Sequence, residues 1–274
     1  MSRFLAILVL AMTLTEARAH FTMLLPSTPS GKKGEEVTIL YQFGHPFEHQ
    51  LFDAPPPARL VLLEPGGKSR DLTKALEKIK VKGADGKEVA AYRLRFTPEQ
   101  RGDFTFILNT PPIWMEDDKE FLQDTAKVVL HVQAQKGWDV NQGKEFRIVP
   151  LTRPYGLLAG MAFRARVTSG TQLVSEGSDD PSKGIKIGMR DTPLPGLLVF
   201  IERFNPAPPK KLPPDELITF AAKTDPNGIV SSTLPSAGWW SITAQRDAGT
   251  RNYNGKDYPL RQRATLWVYV NEKE

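Results

Sequence analysis

Four histidines are the residues of this chain best suited to chemistry, and all of them lie in the first half of its 274 residues. They are His20, His45, His49 and His131. A neutral imidazole is the commonest protein ligand for first-row transition metals. The chain contains no cysteine, so thiolate ligands are excluded. The residue types therefore indicate a metal site built from nitrogen ligands.

The nineteen residues before His20 indicate that this histidine becomes the N-terminus of the mature protein. Arg3, an apolar run from Phe4 to Leu14 and an A-x-A site that ends at Ala19 have the order of a secretory signal peptide. We therefore expect cleavage after Ala19 and a mature chain that begins at His20. A terminal histidine offers its α-amine and its ring to one metal ion, and the amine loses its proton readily because its pKa is near 8.

The apolar run from Phe4 to Leu14 is well short of the roughly 20 residues that a membrane-spanning helix needs. Nothing after it approaches membrane length either. We expect residues 1–19 to be removed and the processed protein to be periplasmic or secreted, with no span of its own.

His45 and His49 lie close together in the segment "GHPFEHQLFDA". A glycine and a proline beside His45 predict a loop that leaves the preceding strand, with side chains free to converge. Glu48 and Asp53 could accept hydrogen bonds from imidazole N–H groups that face away from a metal. The alternative is a polar loop with two solvated histidines.

His131 belongs to the alternating segment "AKVVLHVQAQ". Alternation places Val128, Leu130 and Val132 on one face of a strand, with Lys127 and His131 on the other. We expect His131 to point away from the core, where a ligand can reach it. An exposed histidine without a role is the alternative.

The elements that must position these histidines are short strands. The chain has 23 prolines and 21 glycines, which separate runs rich in Val, Ile, Leu and Phe, the pattern of an all-β sandwich. The predicted strands are Glu36–Phe43, Arg59–Glu64, Ala90–Phe96, Asp103–Asn109, Ala126–Gln135, Met161–Thr168, Leu197–Phe204, Ile218–Lys223, Ile229–Leu234, Trp239–Gln245 and Arg263–Val270. One short helix is predicted around Leu72–Lys80.

The segment "RIVPLTRPYGLLAG" at Arg147–Gly160 resembles a linker that leads into a new strand, and it predicts a boundary between two β-sandwich modules. The first, residues 20–148, contains the histidines; the second, residues 149–274, resembles small Ig-like or transthyretin-like modules. Its Asn227-Gly228 pair predicts a tight hairpin. Neighbouring Trp239 and Trp240 should face opposite sides of one strand, one inward and one outward. This likeness is to a fold and carries no function.

Several classes of function fit the sequence poorly. The net charge of +5 is modest, and the basic residues are scattered, so nucleic-acid binding is not expected. No G-x-S-x-G elbow or other nucleophile motif is present. The acidic run Glu116-Asp117-Asp118 is read as a solvated loop or, as the alternative, a cation site.

Stretches distributed along the sequence together resemble one known family. They are "AHFTMLLPS", "GHPFEHQLFDAP", "EFLQDTAKVVLHV", "GWD", "VPLTRPYGLLAG" and the late "TDPNG" with "GWW". The family consists of secreted proteins found beside bacterial nickel and cobalt uptake transporters of the energy-coupling-factor type. The resemblance covers most of the mature chain, and the histidine loop and "PYGL" are its more specific parts.

The resemblance implies an extracytoplasmic accessory that binds a divalent metal or helps to deliver it to a membrane-embedded uptake transporter. It also implies two sandwich-like modules. His20, His45, His49 and His131 match the family's recurrent histidines. We therefore expect a non-enzymatic protein that prefers nickel or cobalt. An all-nitrogen site also suits copper or zinc, and intrinsic affinity favours copper.

Two other functions are also compatible with the sequence. Copper monooxygenases are also secreted β-sandwiches, and they hold their metal with a terminal histidine and another histidine. A third and fourth histidine ligand would fill coordination positions that oxygen needs, which argues against this alternative. The other is a structural or adhesive module whose histidines bind nothing.

Overall fold

The computed structural model describes residues 20–140, 146–175 and 186–273. These residues form twenty strands and two short 3₁₀ turns, Thr73–Ala75 and Asp215–Leu217, so the predicted all-β fold is confirmed. In this part of the chain no helix has the length and apolar character needed to cross a membrane.

The strands take their labels in chain order. Those of the first half are β1 (Phe21–Pro26), β2 (Ser30–Gly31), β3 (Val37–His45), β4 (Gln50–Phe52), β5 (Arg59–Leu63), β6 (Ser69–Asp71), β7 (Glu77–Lys82), β8 (Glu88–Phe96), β9 (Gly102–Asn109), β10 (Ile113–Met115) and β11 (Glu120–Val132). Those of the second half are β12 (Phe146–Pro150), β13 (Leu157–Leu158), β14 (Ala162–Ser175), β15 (Lys186–Pro193), β16 (Leu198–Arg203), β17 (Thr219–Lys223), β18 (Ile229–Thr233), β19 (Gly238–Tyr253) and β20 (Lys256–Asn271). Every predicted strand overlaps one of these.

The predicted helix around Leu72–Lys80 is wrong. Only Thr73–Ala75 forms a 3₁₀ turn, and β7 follows directly and pairs antiparallel with β8. Lysines alternate with Ile79 and Val81 along β7, so the apolar period is two rather than 3.6. That period suits a strand with one face against the protein.

Three sheets form two sandwiches. One sheet has the order β1-β3-β8-β7, with β4 beside β3. A long sheet of eleven strands follows the path β17-β16-β19-β20-β11-β9-β5-β6. It passes between the halves of the chain where β11 pairs parallel with β20. A sheet built on β12-β14-β15, with β18 beside β14, covers its second half.

Each sandwich encloses its own hydrophobic core, and side chains of the second half complete the first. Trp267 of β20 is fully buried in the first core, where its Nε1 donates to the Thr22 carbonyl oxygen at 3.1 Å. Trp240 is buried in the second core, whereas Trp239 packs against the first. The tryptophans therefore face opposite sides of β19, as predicted, but the expectation that one of them points outward is wrong, because each packs against a core. The module boundary near residue 148 stays a prediction.

Candidate metal centre

His20 and His45 meet at one end of the first sandwich. β1 and β3 pair antiparallel with Phe21 opposite Gly44, which brings the residue before β1 opposite the last residue of β3. The two imidazole centroids are 4.7 Å apart. Two of the four predicted ligands are therefore neighbours because of strand register.

His45 lies inside β3, so the prediction that it sits in a loop is wrong, and the loop begins one residue later. Gly44 explains the difference. It continues the strand at a φ of +149°, and a Cβ there would lie 2.1 Å from the Gln50 carbonyl oxygen. Only glycine therefore lets β4 approach β3 this closely.

Aromatic rings surround this histidine pair. The His20 ring lies 5.7 Å from the Phe43 ring and 4.9 Å from the Phe52 ring, centroid to centroid. The Phe52 ring also contacts His45, at 5.7 Å. His45 is buried and His20 half-buried, so the pair lies in a largely apolar setting.

Burial and, next, the Arg263 guanidinium lower the pKa of His20. The charges of Asp118, Asp117 and Asp124 act in the opposite direction. A lowered pKa keeps the imidazole neutral, the form that binds metal ions. The buried His20 Nδ1 has no hydrogen-bond partner among the described residues, and such a nitrogen is costly unless another group satisfies it.

The acidic run flagged in the sequence lies near enough for Asp117 and Asp118 to act on His20. Its first member is bonded elsewhere. Glu116 pairs with Lys119 and accepts a hydrogen bond of 2.6 Å from Trp114 Nε1. The run therefore contributes negative charge near the histidine pair.

His49 is directed away from a shared site by the second half of the chain. It has a φ of +55° in the β3–β4 turn, and its Nδ1–H donates to the Asn205 carbonyl oxygen at 2.9 Å. Its ring packs against Phe204, with a centroid distance of 6.1 Å. One ring nitrogen of His49 is therefore already engaged.

The same turn makes further contacts with the end of β16. Glu202 Oε1 accepts the Phe47 N–H at 3.0 Å, and Asn205 Nδ2 donates to the Phe47 carbonyl oxygen at 2.6 Å. Burial raises the pKa of Glu202 to about 7, despite a 2.6 Å hydrogen bond from Thr219, and the charge of Glu48 adds to this rise. The second half thus holds the turn that follows His45.

His131 lies far along the first sandwich from His20. Thr22 donates to Asp124, and His131 follows Asp124 on β11 by seven residues, or about 23 Å of strand. Its Nδ1 forms a hydrogen bond of 2.8 Å with the buried Asp103, and its ring stacks on Tyr155 at 4.3 Å. Burial and then the neighbouring Asp103 raise the pKa of Tyr155.

Across the described ranges, no three or more side chains of His, Cys, Asp or Glu are grouped closely enough to hold a metal ion. The structure joins His20 with His45 and places His49 and His131 elsewhere. Asp53 accepts the Ala90 N–H at 2.7 Å rather than an imidazole N–H.

Sequence reasoning missed the polar residues beneath the histidine pair. Asp124 accepts a hydrogen bond of 2.7 Å from Thr22 and two more from Arg263. The alternating pattern of β11 contains the signal that identifies Asp124. Asp124 shares the inward face with Val128 and Leu130, and a carboxylate there requires a buried partner.

A comparison with known families finds a match to residues 17–177, a segment that contains all four histidines. The family is described as a domain of unknown function, DUF4198. The chain belongs to the DUF4198 family. That description names no metal, transporter or reaction. No curated protein matches the DUF4198 chain.

Two of the solved structures that match this chain are distant from it in sequence and in structure. An α-2-macroglobulin of Salmonella reacted with methylamine is 13% identical with a TM-score of 0.25, and the match covers 90% of this chain and 15% of that one. The Yersinia pseudotuberculosis adhesin InvE is 9% identical with a TM-score of 0.22, covering 91% and 59%. The DUF4198 chain thus spans less than two thirds of either protein, and likeness this weak carries no argument.

Proposed function

We propose that the protein binds one divalent transition-metal ion outside the cytoplasm, through the α-amine and ring of His20 and the ring of His45. The supporting observation is the His20 Nδ1 atom, which is buried beside His45 without a hydrogen-bond partner in the described part of the chain. Nδ1 is the ring nitrogen nearer to the backbone. In a chain processed to begin at His20, this atom and the α-amine can close a chelate ring on one ion.

The donor set fits the proposed ion. Three nitrogen donors without sulfur suit nickel, cobalt, copper or zinc, and planar nitrogen sets favour Cu(II) and Ni(II). Sequence resemblance to proteins found beside nickel and cobalt transporters favours a role as a periplasmic accessory to uptake. Its partner would be a membrane-embedded metal transporter.

Calorimetry with nickel, cobalt, copper and zinc tests the proposal, on protein whose N-terminus has been verified as His20. His20→Gln, His45→Gln and a chain with extra residues before His20 should each lose at least tenfold in affinity, about 1.4 kcal/mol. His49→Gln and His131→Gln are matched controls that should bind as the parent does. Unchanged metal affinity in the first three proteins would show that His20 and His45 do not form a metal centre.

A copper-dependent oxidase is the second candidate, and one observation favours it. His49 and His131 use their Nδ1 atoms in other contacts, so the argument that they would fill the positions needed by oxygen is weakened. Copper-loaded protein given peroxide and a polysaccharide should then release oxidised oligosaccharides, and His20→Gln should not. Nickel or cobalt binding without such products supports the accessory role, whereas binding of no metal supports a structural or adhesive module.

A further inference from the structure

A polar crevice crosses the eleven-stranded sheet on the face opposite the first core. Its volume is about 430 Å³, within the range of small-molecule sites. Gln123 and Thr125 of β11 line it, and they alternate with the inward-facing Asp124 and Ala126. The crevice is therefore separate from the histidine pair, which lies at the end of the first sandwich.

Strand register aligns a row of hydrogen-bonding side chains across this crevice. Residues opposite one another in a ladder share a face, and Asn109 Nδ2 donates to Thr125 Oγ1 at 2.8 Å between β9 and β11. Gln123 stands opposite Gln262 of β20, whose Nε2 donates to the Gln123 Oε1 at 2.9 Å. Neutral amides and hydroxyls therefore form its floor.

Arg246 of β19 closes one end of the row, opposite Gln262. Its Nε and Nη2 donate to Gln262 Oε1 at 3.0 and 2.7 Å, and its Nη1 donates to Ser169 Oγ at 3.3 Å. The guanidinium also lies 4.7 Å from the Phe146 ring centroid. All of these partners are neutral.

Partial burial alone lowers the pKa of Arg246, and in the described residues no carboxylate pairs with it. A charge that is partly withdrawn from water and lacks a counterion is unfavourable unless an anion joins it. Arginine is suited to this because its planar guanidinium binds a carboxylate through two parallel hydrogen bonds.

Among the described residues that line the crevice there is no Asp or Glu, so no carboxylate within it balances Arg246. Arg59 of β5 also lines the crevice, but its Nε pairs with Asp71 at 3.3 Å. Arg263 borders the crevice, but it stands opposite the inward-facing Asp124, which neutralises it on the other face of the sheet. Lys127 follows Thr125 on the same face of β11, and burial, then the charge of Arg147, lower its pKa to about 8.

We infer that this crevice binds a small di- or tricarboxylate, with one carboxylate on Arg246 and the polar body of the ligand on the amide row. The volume exceeds what a lone inorganic oxyanion fills. The row of amides offers both donors and acceptors, which match the hydroxyl and carboxyl groups of an organic acid. The inference does not depend on the proposed metal centre.

Calorimetric titration of the metal-free full chain with citrate, succinate and inorganic phosphate, at constant ionic strength, tests this site. Citrate or succinate should bind saturably and at least tenfold tighter than phosphate. Arg246→Gln should reduce that affinity at least tenfold. Arg246→Lys should reduce it less, because lysine keeps the charge but not the paired geometry.

Arg261→Gln is the matched control, because Arg261 is the β20 neighbour of Gln262 and pairs instead with Glu120 and Asp247. It should bind as the parent does, and so should His20→Gln, which separates this site from the metal centre. Near-ultraviolet circular dichroism checks that each variant is folded. Phosphate binding as tight as citrate, equal losses in Arg246→Gln and Arg261→Gln, or no saturable binding would each overturn the inference.

Discussion

Asp124 of β11 and Arg263 of β20 form a two-point ion pair, with Nε–Oδ1 and Nη2–Oδ2 distances of 2.8 and 2.7 Å. Their side chains are only 1% and 3% exposed. The pair joins the two halves of the chain directly beneath Thr22, two residues after His20. Neither charge has access to water, so each depends on the other.

Replacing Arg263 with alanine should therefore be severely destabilising. A buried carboxylate that loses its partner costs about 3–5 kcal/mol, and the double variant Asp124→Leu/Arg263→Met should recover much of this loss. Urea unfolding measures both. Arg261→Ala, which breaks a partly exposed pair, should cost about 1 kcal/mol or less. Equal losses at positions 261 and 263 would contradict this.

Glu202 should make stability fall as pH rises. Its folded pKa of about 7 lies above its ordinary value of 4.5, so the folded state retains a proton that the unfolded state has lost. The free energy of unfolding should therefore decrease between about pH 4.5 and 7.5, by up to about 3 kcal/mol. Glu202→Gln, which stays neutral, should be the more stable protein at pH 8.

Denaturant titrations of Glu202→Gln and of the parent at pH 5 and pH 8 measure this difference. Glu99→Gln, at an exposed position, is the control and should leave the profile unchanged. If the difference in the free energy of unfolding between Glu202→Gln and the parent is the same at pH 5 and pH 8, the Glu202 carboxyl does not titrate in this range.

His131 should matter for stability and not for metal affinity. His131→Leu leaves the Asp103 carboxylate buried without its bonded partner, which costs about 1–3 kcal/mol. His131→Gln keeps a donor and should lose less. Thermal unfolding measures the loss, and calorimetry with nickel and copper measures affinity. A tenfold loss of metal affinity in either variant would show that His131 belongs to the proposed metal site.

The first sandwich should not be stable alone. Residues 20–148 lack Trp267, which fills the first core, and Arg263, which neutralises Asp124. We expect that fragment to show no cooperative thermal transition by circular dichroism. In the full chain Trp267→Ala should cost about 3–5 kcal/mol. A fragment that unfolds cooperatively near the parental temperature would show that the halves are independent.

Local pattern predicted the strands well because alternation is a local property. Val128, Leu130 and Val132 are buried in the first core as their spacing indicated. The helix predicted around residues 72–80 is wrong because Ile79 and Val81 alternate with lysines, and an apolar period of two belongs to a strand.

The candidate site depended on pairing between distant strands, which period and spacing do not encode. The meeting of His20 with His45 follows from the β1–β3 register. The bond from His49 to Asn205 joins residues 156 positions apart. Spacing alone could therefore nominate all four histidines but could not show which of them are neighbours.

The pairing of β11 with β20 extends from Phe121 opposite Leu260 to Val128 opposite Trp267. Tandem domains usually rotate relative to each other about a flexible linker. Here a rotation between the two sandwiches would have to break a continuous ladder of backbone hydrogen bonds. The two sandwiches are therefore expected to move as one rigid body. Any protein that bound the second sandwich would therefore also set the orientation of His20 and His45.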